Sequence, residues 1–226
     1  FEKETGLDLI PLKYKSHGLI CRWVVLEMLG KILIEKKFIL DIKEDQNLPF
    51  YHLIPQHKAR SVSLLEIILR NLSVIDDELS IHLRSKTNIR VLNILRIATA
   101  EIFLDKIPTH AAVDCAVRLA KEEKKTVRFS GLVNAVCRKL VKRLEDGDLL
   151  APPLLSPEFI AGLKTFYDMK TIKRFGLAQG TKPPLDITIK DKLKERSYAD
   201  LLNGCLLPSG TIRLNYECQV TKLPGY

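Results

Sequence analysis

His110, Asp114 and Arg118 follow one another at intervals of four, so a helix would place them on one ridge. A histidine beside a carboxylate can pass protons as a general acid–base pair. No nucleophile or metal-binding set accompanies it in the sequence. A polar ridge at a helix start, with an Asp114–Arg118 ion pair, accounts for the same residues. Asn134 interrupts an apolar stripe, which favours a buried amide bonded to the backbone of a neighbouring loop over a ligand contact. The five cysteines, Cys21, Cys115, Cys137, Cys205 and Cys218, form no C-x-x-C pair. Their odd number and scatter imply free thiols in a reducing cytosol rather than a disulfide framework or a zinc site. The chain also lacks G-x-G-x-x-G, Walker and H-E-x-x-H motifs, so its residues offer no support for a cofactor cradle.

Charge is more informative. The 226 residues carry a formal net charge of +9. Between 118 and 143 stand nine cations: Arg118, Lys121, Lys124, Lys125, Arg128, Arg138, Lys139, Lys142 and Arg143. Only Glu122 and Glu123 oppose them, so 9 − 2 = +7 lies in one window. Such a concentration favours a polyanion, of which nucleic acid is the commonest. The alternative is a solvated helical face. Aromatic residues are only 7% of the chain and scarcely enter the window apart from Phe129. That favours phosphate contacts over an extended stacking platform. The candidate RNA-binding residues are Lys121, Lys124, Lys125, Arg128, Arg138 and Lys142, with the segment 13–22, "KYKSHGLICR", as the alternative surface. The longest apolar stretch, "ILRIATAEIFL" at 94–104, contains Arg96 and Glu101 and is too short to cross a bilayer. No signal peptide is visible, and the expected location is the cytoplasm.

The elements that must position these residues are mainly helical. Apolar spacing predicts helices over 17–36, 58–72, 73–83 and 88–104, the second and third separated by a Ser73 cap and the last apolar on nearly every side. A loop containing Pro49 and Pro55 joins the first two. Pro108 then breaks the chain and Thr109 is placed to cap the next helix. That helix bears small apolar residues, which let a partner at 129–144 approach closely. The pair forms an α-hairpin whose basic tip is "KEEKKTVR". After Gly147 the texture changes to a proline-rich linker. Beyond it a helix is expected over 157–179, a strand over 183–190, a helix over 192–203 and β structure over 211–220. The fold class is therefore mainly α: a helical bundle over 1–148, then a linker and small α+β subdomain over 149–226.

"ILRIATAEIFLDKIPTHAAVDCAVRLAK" followed by "RFSGLVNAVCRKL" closely resembles the second half of the NusB-like helical domain. The similarity is best to the version found at the N-terminus of bacterial rRNA cytosine-C5 methyltransferases of the RsmB/Sun/Fmu type. Leu95-Arg96, Leu104-Asp105, Pro108 to Val113 and Gly131 to Arg138 carry it. "PPLDITIK", "LLPSGTIRL" and "LPGY" resemble the connecting subdomain that precedes the methyltransferase domain in that family.

The resemblance implies an RNA-binding and scaffolding region acting on small-subunit rRNA. It implies that S-adenosylmethionine and a cysteine pair in Pro-Cys and Thr-Cys-Ser contexts belong to a further domain. Cys205 follows Gly204 and Cys218 follows Glu217, so neither matches those contexts. The expectation is a chain that binds no cofactor or metal and is catalytically inactive alone, being a fragment or a shortened gene product. The rival reading is a stand-alone NusB-type antitermination factor that binds RNA with a ribosomal protein.

Overall fold

The computed structural model describes residues 10–14, 18–83, 87–152, 155–216, 218 and 220–224. These fall into two compact units, one running to Gly180 and one starting at Thr181. That division lies further along the chain than the change of texture after residue 147.

The first unit is a helical bundle. Its helices are α1 (Ile20–Leu33), α2 (Ile39–Glu44), α3 (Pro55–Arg70), α4 (Leu72–His82), α5 (Ile89–Phe103), α6 (Thr109–Lys121), α7 (Ser130–Glu145), α8 (Pro157–Leu163) and α9 (Met169–Gly180). Helix α5 is the centre, touching α1, α3, α4, α6 and α7. Every residue from Ile94 to Ile102 is buried. Burial of that run is the main driving force for the bundle, since each large aliphatic side chain contributes about 1.5–3 kcal/mol.

The charged groups inside this core are paired, while the buried Ser61 hydroxyl has no hydrogen-bond partner among the described residues. Arg96 makes a two-point pair with Asp76, both contacts at 2.7 Å, and donates to Asn93 Oδ1. Glu101, 0% exposed, accepts from Arg22 Nε at 2.8 Å and from Arg60 at 3.2 Å, and Arg60 continues to Asp105. The resembling residues Arg96 and Asp105 thus serve the fold. Helix α5 ends with Lys106 in the left-handed region (φ 52°), and Ile107 N–H reaches back to Glu101 O at 3.2 Å. That capped turn, and not a helix break at Pro108 alone, reverses the chain into α6.

Several local expectations are corrected. The stretch read as a loop after α1 contains α2, and Pro55 is the first residue of α3, where its missing N–H is harmless. Ser73 does not cap α4. Asn71 stands at that cap position and spends its amide on Ile67 O at 2.9 Å. Thr109 lies inside the first turn of α6, Pro108 takes the cap position, and no side chain caps that end. The single helix expected over 157–179 is two helices, with Asp168 accepting from Thr171 N–H at 2.7 Å at the start of α9. His17, at the expected start of α1, lies outside the described residues.

The second unit holds β1 (Leu185–Thr188), α10 (Glu195–Leu201), β2 (Cys205–Leu206) and β3 (Thr211–Leu214). The antiparallel sheet has the order β1-β3-β2, and β2 was not foreseen. Ile212 and Leu214 pack with Ala199 and Leu202 as its small core. Between β2 and β3, Gly210 adopts φ +81°, which favours glycine. A Cβ there would also meet the Glu195 carboxylate at 2.6 Å.

Candidate nucleic-acid interface

Helices α6 and α7 pack together along their small-residue faces. Ala112, Cys115, Ala116, Leu119 and Ala120 are buried on α6, and Val133, Val136, Cys137 and Leu140 on α7. The turn between them is fixed from inside. Thr126 is fully buried and its hydroxyl donates to Ala120 O at 2.8 Å. The Glu123 carboxylate accepts from Arg90, which also pairs with Glu27, and Tyr14 OH donates to Glu123 at 3.4 Å. Burial and the adjacent Glu123 charge push the Tyr14 phenol well above its ordinary pKa, so it stays a neutral donor. Lys13 donates to Glu122 O.

Of the two acids of the basic window, Glu123 is neutralised by Arg90, while the Glu122 carboxylate lies 3.9 Å from the Lys13 ammonium and stays partly exposed. Their partners, Arg90 and Lys13, come from outside it. Two of the nine cations are also engaged: Arg118 pairs with Asp114 at 3.5 Å, and Arg143 with Glu78 at 2.5 Å and Asp148 at 2.9 Å. The other seven, including all six candidate residues, are exposed and make no ion pair among the described residues. Arg128 lies over its neighbour Phe129, 4.8 Å from the ring centroid, which occupies one face of that aromatic.

The six candidates divide into two sets. Lys121, Lys124, Lys125 and Arg128 surround the tip. Arg138 and Lys142 stand roughly 12 and 18 Å along α7 from Ser130, at 1.5 Å per residue. They line an open groove of about 510 Å³ with Thr109, His110, Val113, Asp114, Val117, Asn134, Val141 and Glu145. His110 and Asp114 share this groove without a hydrogen bond between them, while Asp114 is taken by Arg118, as the ridge reading anticipated. Asn134 departs from expectation: it is half-buried in the groove wall and bonds to no loop backbone among the described residues. The N-terminal alternative at 13–22 is not a separate place, because Lys13 and Tyr14 abut the tip. Within it Arg22 is committed to Glu101, and Lys15, Ser16 and His17 lie outside the described residues.

Sequence reasoning missed the buried Arg22–Glu101–Arg60–Asp105 chain. Its members come from three separate stretches of the chain, and only the apolar surroundings of Glu101 hinted at it. No group of acids, histidines and cysteines able to hold a metal occurs among the described residues. Cys205 is exposed on β2 and Cys218 packs against the small core of the second unit. No helix among the described residues is long and apolar enough to cross a membrane.

The first unit is thus an all-α bundle with one buried central helix and a hairpin whose exposed cations lack acid partners among the described residues. The NusB family model matches residues 20–142, more than half of the chain, and the chain belongs to the NusB family. Membership points to RNA as the polyanion. A comparison with curated proteins finds no match.

Proposed function

We propose that this protein binds small-subunit rRNA through the α6–α7 hairpin and acts as the RNA-holding region of an S-adenosylmethionine-dependent rRNA cytosine-C5 methyltransferase. The observation that carries the RNA reading is the set of seven exposed cations with no acid partner among the described residues. A charge left unpaired on a fixed scaffold is available to phosphate without first breaking an ion pair. Phosphate contacts position RNA and are indifferent to sequence. The methyltransferase reading draws on the resemblance of the region after residue 180 to a connecting subdomain. In this reading the cofactor and the methyl transfer belong to residues other than these, the setting is cytoplasmic, and the chain alone is inactive.

Filter binding with small-subunit rRNA fragments across a salt series tests the first part. Affinity should fall linearly with salt on logarithmic axes. Binding that ignores salt, or no binding, sinks the RNA reading. Removal of residues 181–226 tests the second part. Unchanged RNA affinity and partner choice after that deletion would favour the antitermination role instead.

A further inference from the structure

The groove between α6 and α7 is built differently from the tip. Its floor is aliphatic, from Val113, Val117 and Val141. Its walls carry Thr109, His110 and Asn134, whose side chains have no hydrogen-bond partner among the described residues. Arg138 and Lys142 flank it, exposed and unpaired, and two carboxylates share the lining, Glu145 and the Asp114 that Arg118 holds at 3.5 Å. Asn134 is the telling residue. It sits one turn inside α7, where an asparagine lowers helix propensity, and its side chain makes no internal hydrogen bond among the described residues in return. A side-chain amide presents one acceptor and two donors together, the pattern that meets the edge of a base.

We infer that this groove takes a single unpaired nucleobase of the bound RNA, with the valines against its face, Asn134 on its edge, and Arg138 and Lys142 on the flanking phosphates. The inference rests on the RNA reading above and adds base discrimination to it. Unpaired bases are where RNA sequence is read, because splayed-out edges are open to side chains. Adenine suits the asparagine amide best, since its amino group and ring nitrogen return one donor and one acceptor.

The test uses decauridylate carrying one central adenine, cytosine or guanine, in filter binding against wild type and Asn134→Ala. Wild type should favour one base, adenine foremost, by roughly 5- to 150-fold, the range of one two-point contact. Asn134→Ala should flatten that preference and leave the salt slope unchanged. Alanine is the better helix former, so loss of fold is not expected, and a thermal melt checks it. Photo-crosslinking with 4-thiouridine beside the central base should label peptides from 109–117 or 134–142. Salt-dependent binding without base preference, or a preference that survives Asn134→Ala, overturns the groove inference and leaves the RNA reading standing. Crosslinks confined to the tip overturn it too and hand the groove to a protein partner. Absence of any RNA binding removes both.

Discussion

Glu101 is the most deeply buried charge among the described residues of the bundle. It is fully buried and held between Arg22 and Arg60, themselves only 12% and 32% exposed at the side chain. Glu101→Ala leaves two arginines partly buried without their counter-charge, which costs about 3–5 kcal/mol when one partner of a buried pair is deleted. Chemical denaturation reads that loss, and a change below about 1 kcal/mol would mean the arginines reach water unaided. Burial raises the Glu101 pKa, with the two arginines opposing it. A carboxyl with a higher pKa folded than unfolded binds its proton more tightly when folded. Its share of stability therefore falls as pH rises above the ordinary glutamate range. Glu101→Gln should remove that slope from the pH dependence of unfolding. The thiols follow the same logic of burial: that of Cys137 is pushed up to about 12, whereas Cys205 is exposed. Alkylation at neutral pH should modify Cys205 well before Cys137, since the thiolate is the reactive form.

The elements that sequence revealed best are those whose apolar period is long. Helices α6 and α7 and their hairpin were legible because a 3.6-residue stripe sustained over several turns suits neither a strand nor a loop, and α5 because its apolar run is too long for a strand. The ends were less so. Thr109 and Ser73 have the right chemistry for caps, but the left-handed turn at Lys106 and the Asn71 backbone set where α6 and α4 begin. Strand β2 is two residues long and carries no period to detect. Of the site, the tip cations were legible from composition. The groove was not, because it needs α6 and α7 laid side by side before Thr109, His110 and Asn134 meet. Two variants test this packing. Ala116 is 3% exposed, so Ala116→Leu must overfill the α6 contact and should cost about 1–3 kcal/mol in thermal melting. No loss would mean that the helix faces are wrongly paired. Thr109→Ala, by contrast, removes no cap and should stay within about 0.5 kcal/mol of wild type.

At the scale of the whole molecule, the net charge of +9 matters less than which charges are already spent. Arginines do much of the internal work: Arg22, Arg60, Arg90, Arg96 and Arg143 each hold a buried or half-buried acid. Lysines dominate what is left outside, and around the α6–α7 turn they are left without acids. A bundle that neutralises its acids from within leaves one end positive without loosening the fold. RNA held there should release counterions in proportion to the phosphates neutralised, roughly 0.7 per contact for a single strand. A variant combining Lys124→Ala, Lys125→Ala and Arg128→Ala should therefore bind more weakly, with a log affinity against log salt slope shallower by about 2. These side chains project from a turn held by Thr126 and Glu123, so the fold should survive, and circular dichroism verifies it. The loss should be equal for RNAs of different sequence, unlike the loss in Asn134→Ala, which should fall on one base. An unchanged slope in a folded triple variant would move the phosphate contacts off the tip, to Arg138, Lys139 and Lys142 along α7.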